Sequence, residues 1–211
     1  MLARTSLVAL VLLVMPGQPQ ARGWLYEIDP VHTQITFFVD HLGFSRSSGR
    51  AYGAHGHFVF EPGDWSSACV VARVPVARIG FGDEEWDRRM RRGDFFDAEA
   101  HPVIAFHSTS VEVIDEQQAR LHGRISVRGT EAPVTLELKL NKAAQNIAAG
   151  RFVAGFSARG TILRSDFGMT ALLPRVGDEV ELLIEAEGWR QPRSPGQTPR
   201  CEIASNVQES D

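Results

Sequence analysis

Lysine is nearly absent from this 211-residue sequence: of its 22 basic residues only Lys139 and Lys142 are lysines. Basic charge is not in surplus either, since 26 acidic residues leave a net charge of −4. That balance, with no basic patch, argues against nucleic acid and against an anionic membrane surface as partner. Cysteine is limited to Cys69 and Cys201, which excludes a C-x-x-C redox centre and a four-ligand zinc pattern. An oxidising compartment permits a bridge between the two and does not require one. No G-x-S-x-G elbow, H-E-x-x-H, P-loop or Gly-rich dinucleotide fingerprint occurs, so neither an enzyme class nor a cofactor has a motif to stand on. With 43% apolar and 23% charged residues, the composition is that of an ordinary folded domain and excludes disordered, coiled-coil and collagen-like chains.

The one long apolar run is Leu7–Met15, preceded by Arg4 and broken by Pro16 and Gly17. It is too short to span a bilayer as a helix, and Ala21-Arg22-Gly23 supplies small residues at the −3 and −1 positions of a cleavage site before Trp24. Residues 1–23 therefore read as a secretory signal peptide, and the mature protein is expected to be exported without stable membrane insertion. The leader holds Arg4 and Arg22 and no acid, so the mature chain carries 20 basic against 26 acidic residues, a net charge of −6.

From Trp24 to Trp189 the apolar period is two, the mark of half-buried strands. Ile35, Phe37 and Val39 alternate with polar or outward residues, as do Phe58 and Phe60, and then Ala68, Val70, Ala72 and Val74. A strand containing Ile104 and Phe106 follows Pro102. The pattern recurs at Leu121, Gly123, Ile125 and Val127, and at Val134, Leu136, Leu138 and Leu140. It closes with Phe156, Ala158, Gly160 and Ile162, then Val180, Leu182, Ile184 and Ala186. Asp83–Arg92 breaks the rhythm: Trp86 and Met90 share a helical face, acids open the segment and arginines end it, as suits a helix dipole. From Arg190 onward Pro192, Pro195 and Pro199 interrupt all periodicity, so 190–211 is expected to be a disordered tail.

About eight one-faced strands and one short helix argue for an antiparallel sheet closed into a barrel, whose interior is either filled by side chains or holds one small ligand. Strands of about ten residues at ~3.3 Å each, tilted ~40°, make it roughly 25 Å tall. Phenylalanine is plentiful, 12 residues against two tyrosines. Phe44, Phe81, Phe95, Phe96, Phe152 and Phe167 lie outside the plainest strand cores, where they either plug the barrel ends or line a pocket mouth. His55 and His57 share a strand face and could supply two ligands of a metal enzyme, but no third ligand is identifiable by spacing. A filled barrel acting through protein contacts is the other alternative.

Several runs resemble the YceI-like family. Trp24-Leu25-Tyr26-Glu27-Ile28-Asp29-Pro30-Val31-His32-Thr33 is similar to its opening Y-x-I-D-x-x-H-S/T. Asp40-His41-Leu42-Gly43-Phe44-Ser45, Gly93-Asp94-Phe95-Phe96-Asp97 with His101-Pro102-Val103-Ile104-Ala105-Phe106, Arg164-Ser165-Asp166-Phe167-Gly168-Met169 and Val176-Gly177-Asp178-Glu179-Val180 follow in family order. The resemblance spans about 24–188, within a domain bounded at 24–189. In the helix Trp86 and Arg89 stand where the family often has Arg and His.

The resemblance implies an all-β, eight-stranded, antiparallel lipocalin-like barrel with one short helix, exported to the periplasm and often a homodimer. It implies no catalytic residues, and a long isoprenoid or acyl lipid as ligand: a polyisoprenoid, an isoprenoid quinone or a fatty-acid derivative. On that reading Phe37, Val39, Phe58, Ile104, Phe106, Leu136, Phe156 and Ile162 are expected along the cavity wall. Phe44, Phe95, Phe96, Phe167 and Met169 are expected at its mouth. His32, His41, Arg164 and Asp166 either serve the fold or orient a polar head.

Overall fold

The computed structural model describes residues 23–193 and 199–201. The expected leader, apart from Gly23, lies outside them. Eleven strands and one helix follow in chain order: β1 (Trp24–Ile28), β2 (Gln34–His41), β3 (Ser45–Ala51), β4 (His55–Glu61), β5 (Asp64–Pro75), β6 (Ile79–Gly80), α1 (Glu84–Met90), β7 (Val103–Val113), β8 (Gln118–Val127), β9 (Thr130–Asn146), β10 (Arg151–Leu163) and β11 (Val176–Arg190).

Eleven strands make eight walls because three walls are broken in the middle. β1 and β2 run end to end beside β11, β1 on Gly188–Arg190 and β2 on Val176–Glu185. β3 and β4 run end to end beside them, and β5 and β6, separated by the 3-10 turn Val76–Arg78, form the third wall. From β7 to β11 each strand pairs antiparallel with the next, and β11 returns to the first wall, so the sheet closes. This is the expected eight-stranded antiparallel barrel with one short helix.

The first break has a visible cause. The buried Asp29 carboxylate accepts the amides of Val31 at 2.8 Å and His32 at 3.2 Å, and bonds His32 Nδ1 at 2.6 Å. This side-chain-stabilised turn interrupts the ladder. Thr33 then rejoins β11: its Oγ1 donates to the Glu187 carbonyl and accepts the Glu187 amide, both at 3.2 Å. The opening motif thus has a structural task at Asp29 and His32.

β3, with the sequence SRSSGRA, shows no apolar alternation, and its inward positions are small. At the other end of the chain, β11 runs to Arg190, and the chain stays attached as far as Arg193. The Gln191 amide bonds the Leu25 carbonyl at 2.8 Å, and Arg193 donates to the Gly23 carbonyl at 2.6 Å while its guanidinium sits 4.3 Å from the Trp24 ring centroid. Cys69 and Cys201 form a disulfide, which ties residue 201 to β5. Within the stretch expected to lack structure, only 190–193 and 199–201 are described.

Candidate functional site: an apolar cavity along the barrel axis

One end of the barrel is floored with aromatic rings. Phe60 meets Trp65 and Phe156 edge-on, with centroids 5.0 and 5.1 Å apart, and Phe58 meets Phe156 at 5.6 Å. Tyr26 stacks beneath Phe58 at 4.8 Å. Burial pushes the Tyr26 phenol up to about 12, against the pull of Arg190. The Trp65 indole spends its N–H on the Glu116 carbonyl at 3.3 Å, so the floor carries no unmet indole donor.

Above this floor a cavity of about 320 Å³ rises through the barrel. Its walls are Ile, Val, Leu, Ala, Phe, Met and Trp side chains, and the exceptions are Thr33, Arg164 and the disulfide-bonded Cys69. The interior stays hollow partly because glycines seat the largest inward rings. A Cβ added to Gly49 would meet Phe37 Cζ at 2.2 Å, one on Gly123 would meet Phe106 at 2.5 Å, and one on Gly188 would meet Phe58 at 2.3 Å. Phe37 and Phe106 lie over the backbone of the adjacent strand, and Phe58 reaches across β1 to that of β11, so the rings lie along the wall rather than across the lumen.

The far end is covered by the segment around α1. Phe81, Met90, Phe95 and Phe96 line the cavity there. Asp83 caps α1 by accepting the Trp86 amide at 2.9 Å, and Asp87 accepts the Phe81 amide at 2.6 Å. Trp86 stacks on Phe81 with centroids 5.3 Å apart, and Phe81 meets Phe37 edge-on. The helix thus shares in the cover through Met90, and its charges apart from Asp87 face outward.

Arg164 completes this end. Its side chain is 6% exposed and donates only to carbonyls: Nε to Gly177 at 2.7 Å, Nη1 to Met169 at 2.7 Å and Ala171 at 2.8 Å, and Nη2 to Val176 at 2.9 Å. Burial lowers its pKa while the Asp178 carboxylate works the other way. Asp178 also takes the Ser165 amide and hydroxyl at 2.9 and 2.6 Å. The two closing motifs are therefore one hydrogen-bonded unit that fixes the loop between the 3-10 turn Arg164–Phe167 and β11, and Asp166 is exposed to solvent.

The structure brings together Phe37, Val39, Phe58, Phe95, Phe96, Ile104, Phe106, Leu136, Phe156, Ile162 and Met169 on the cavity surface. Two expected residues lie elsewhere. Phe44 is 89% exposed at the tip of the β2–β3 turn, where positive φ at Leu42 and Gly43 turns the chain and directs it outward. Phe167 sits one layer behind the wall, packed with Val127, Ala132 and Met169. His41 lies 6.4 Å from Trp86, outside the lining. Phe81, one of the aromatics expected to plug an end or line a mouth, is on the lining, whereas sequence reasoning missed Trp65 and Met90 there. The spacing of Trp86 and Met90 held a signal for the last of these, and no pattern marked Trp65.

His55 and His57 lie on β4, and His55 bonds the Gly53 carbonyl at 3.3 Å. Among the described residues the one set of three potential ligands within 4.8 Å of one another is Asp29, His32 and Glu187. That set includes neither His55 nor His57, so among the described residues they have no third ligand beside them.

A sequence model for the YceI-like domain matches residues 26–188. A UPF0312 protein of Pseudomonas paraeruginosa is 32% identical over 191 residues, covering 89% of this chain and 99% of its own. Among solved structures, a YceI protein of Campylobacter jejuni superposes with a TM-score of 0.64 at 24% identity, covering 72% of this chain and 90% of its own. A polyisoprenoid-binding domain from Saccharophagus degradans, implicated in plant cell wall breakdown, superposes with a TM-score of 0.60 at 11% identity, covering 79% and 98%.

Proposed function

This chain belongs to the YceI-like domain family, and from that premise we propose that it is a periplasmic binding and carrier protein for one long-chain amphiphile held in the barrel: a polyisoprenoid, an isoprenoid quinone or a fatty-acid derivative. The observation that carries the reading is the cavity itself, about 320 Å³ with an aromatic floor and hydrocarbon walls. Small-molecule sites run from ~300 to ~1,000 Å³ and normally place several polar groups against the ligand. This one offers Thr33 and Arg164, at separate places on its wall.

Magnitudes favour a long tail. Each buried methylene contributes about 0.8 kcal/mol, so a tail of about ten supplies roughly 8 kcal/mol gross. That equals a micromolar affinity of ~8 kcal/mol before ordering costs are subtracted. A useful carrier of this kind needs a longer chain than that, or a branched one. The polyisoprenoid-binding domain that shares the fold supports an isoprenoid. The leader-like run Leu7–Met15 and the Cys69–Cys201 bridge support an exported location with oxidising chemistry.

Native mass spectrometry of the mature protein, taken from a periplasmic extract without detergent and then extracted with solvent, tests the reading. A discrete added mass that extracts as an isoprenoid or acyl lipid is expected, on a polypeptide beginning at Trp24. A bare protein that also refuses added lipids would overturn it.

A further inference from the structure

We propose that the covered end of the barrel is a lipid-bilayer contact face, entered by Leu42, Phe44 and Leu172; the proposal rests on the carrier reading, because an amphiphile carrier must meet the bilayer where its ligand resides.

Three exposed apolar side chains come from two loops that the backbone joins. The Leu42 amide donates to the Arg175 carbonyl at 3.0 Å, and the Val176 amide donates to the Leu172 carbonyl at 3.0 Å. Leu42 is 45%, Phe44 89% and Leu172 50% exposed. Leu42 and Leu172 both have positive φ, 60° and 66°, a conformation that residues other than Gly, Asn and Asp rarely take. The fold holds two leucines in a disfavoured backbone state and leaves them half in water, where they add little to its own core. Such outliers gather at functional surfaces.

The patch adjoins the covered end of the cavity. Val176 and Val39 line the lumen from the strands that carry these loops, and Met90 and Phe81 line it from the cover beside Trp86. A tail passing between bilayer and barrel here would cross hydrocarbon rather than water. Exposed Arg175 stands beside Leu42, with Arg46 paired to Glu181 and Arg88 to Glu84, a mixed rim suited to lipid headgroups. The contact is shallow: it is made by loop tips, and no described helix is long and apolar enough to cross a membrane. Exposed apolar side chains also occur at the opposite end, Ile147 at 92% in the β9–β10 turn, but there the aromatic floor separates them from the lumen. Ile147 is therefore a built-in control.

Flotation of the mature protein with zwitterionic vesicles of phosphatidylethanolamine and phosphatidylcholine decides the matter. The unmodified protein is expected to float, the Leu42→Ser/Phe44→Ser double variant to lose about tenfold or more in partitioning, and Ile147→Ser to float unchanged. Failure of the unmodified protein to float, a double variant that floats as well as its parent, or an equal loss in Ile147→Ser would each overturn the proposal. So would a double variant whose only change in gel filtration is from dimer to monomer, since the occupant would then be a second copy. Uptake of a fluorescent long-chain isoprenoid alcohol added from ethanol is measured in parallel. If the parent takes up none, the carrier reading fails, whereas normal uptake without flotation sinks only the membrane face.

Discussion

The ring of Phe37 on β2 lies over Gly49 on β3, its cross-strand partner, so closely that a Cβ on Gly49 would fall 2.2 Å from Phe37 Cζ. The three atoms nearest that Cβ position all belong to the Phe37 ring, so a larger residue there is expected to push Phe37 into the lumen. Gly49→Val is expected to fold with a loss of about 1–3 kcal/mol, the ordinary cost of overpacking. Its affinity for a long isoprenoid alcohol should fall by an order of magnitude or more, roughly 1.4 kcal/mol per tenfold, with a short-chain analogue affected less. Fluorescence titration with both probes checks this, and equal losses for the two would place Phe37 outside the ligand's path.

Ile162, near the mouth end of β10, tests the wall from the other side of the barrel. It lines the cavity and packs against the cluster of Val127, Ala132 and Met169. Ile162→Trp fills part of the lumen and is expected to shorten the longest chain the protein retains, as read by mass spectrometry of the extracted ligand. A folded variant that retains full-length ligands would show that the chain does not reach this level.

Much of this architecture is legible in the sequence because inward side chains on most strands are large. Val134, Leu136 and Leu138 on β9, or Phe156, Ala158 and Ile162 on β10, announce their face by period alone. β3 is silent for a physical reason. The volume beneath its inward Gly49 is supplied by Phe37 from the neighbouring strand, so β3 needs no large residue of its own. Phe44 misleads for the opposite reason: an aromatic just past a strand end looks the same whether it faces a mouth or solvent. The backbone at Leu42 and Gly43 decides which. Hollowness itself was hidden in the pairing of glycines with aromatics across strands, a relation that period along one strand does not contain.

Arg164 bonds the carbonyls of Met169, Ala171, Val176 and Gly177 from a position that is almost wholly buried. Arg164→Met removes the charge and leaves these acceptors without their donor. A hydrogen bond to a charged group contributes about 1.5–3 kcal/mol, and the losses of neighbours do not add, so the expected destabilisation is roughly 3–5 kcal/mol. At ~2–4 °C per kcal/mol for a domain of this size, the melting temperature should fall by about 10 °C. Arg164→Lys, with one nitrogen in place of a fork, should recover only part of that. Calorimetry of the three proteins checks it, and a Lys variant as stable as its parent would show that the charge alone matters.

The turn at Asp29 titrates from both sides. Burial pushes the Asp29 carboxyl up, but the bond from the His32 ring and the amides of Val31 and His32 outweigh it and hold the pKa below its ordinary value. The hydrogen bond to Asp29 raises the His32 pKa, with the Asp29 charge and then Glu187 adding to it. A depressed acid contributes stability above its unfolded pKa of about 3.9, lost as pH falls through the folded value. A raised histidine contributes below its unfolded pKa of about 6.5, lost as pH rises through the folded value. The two overlap fully between about pH 4 and 6.5. Urea unfolding of the parent and of Asp29→Asn from about pH 3 to 9 should therefore show a stability gap that is widest in that window and narrows on both sides. His32→Gln keeps the amide bonds and removes the imidazolium, so its gap from the parent should also narrow on both sides, whereas its own advantage over Asp29→Asn should narrow only on the acid side. A gap independent of pH would mean that the backbone amides hold the turn without the ion pair.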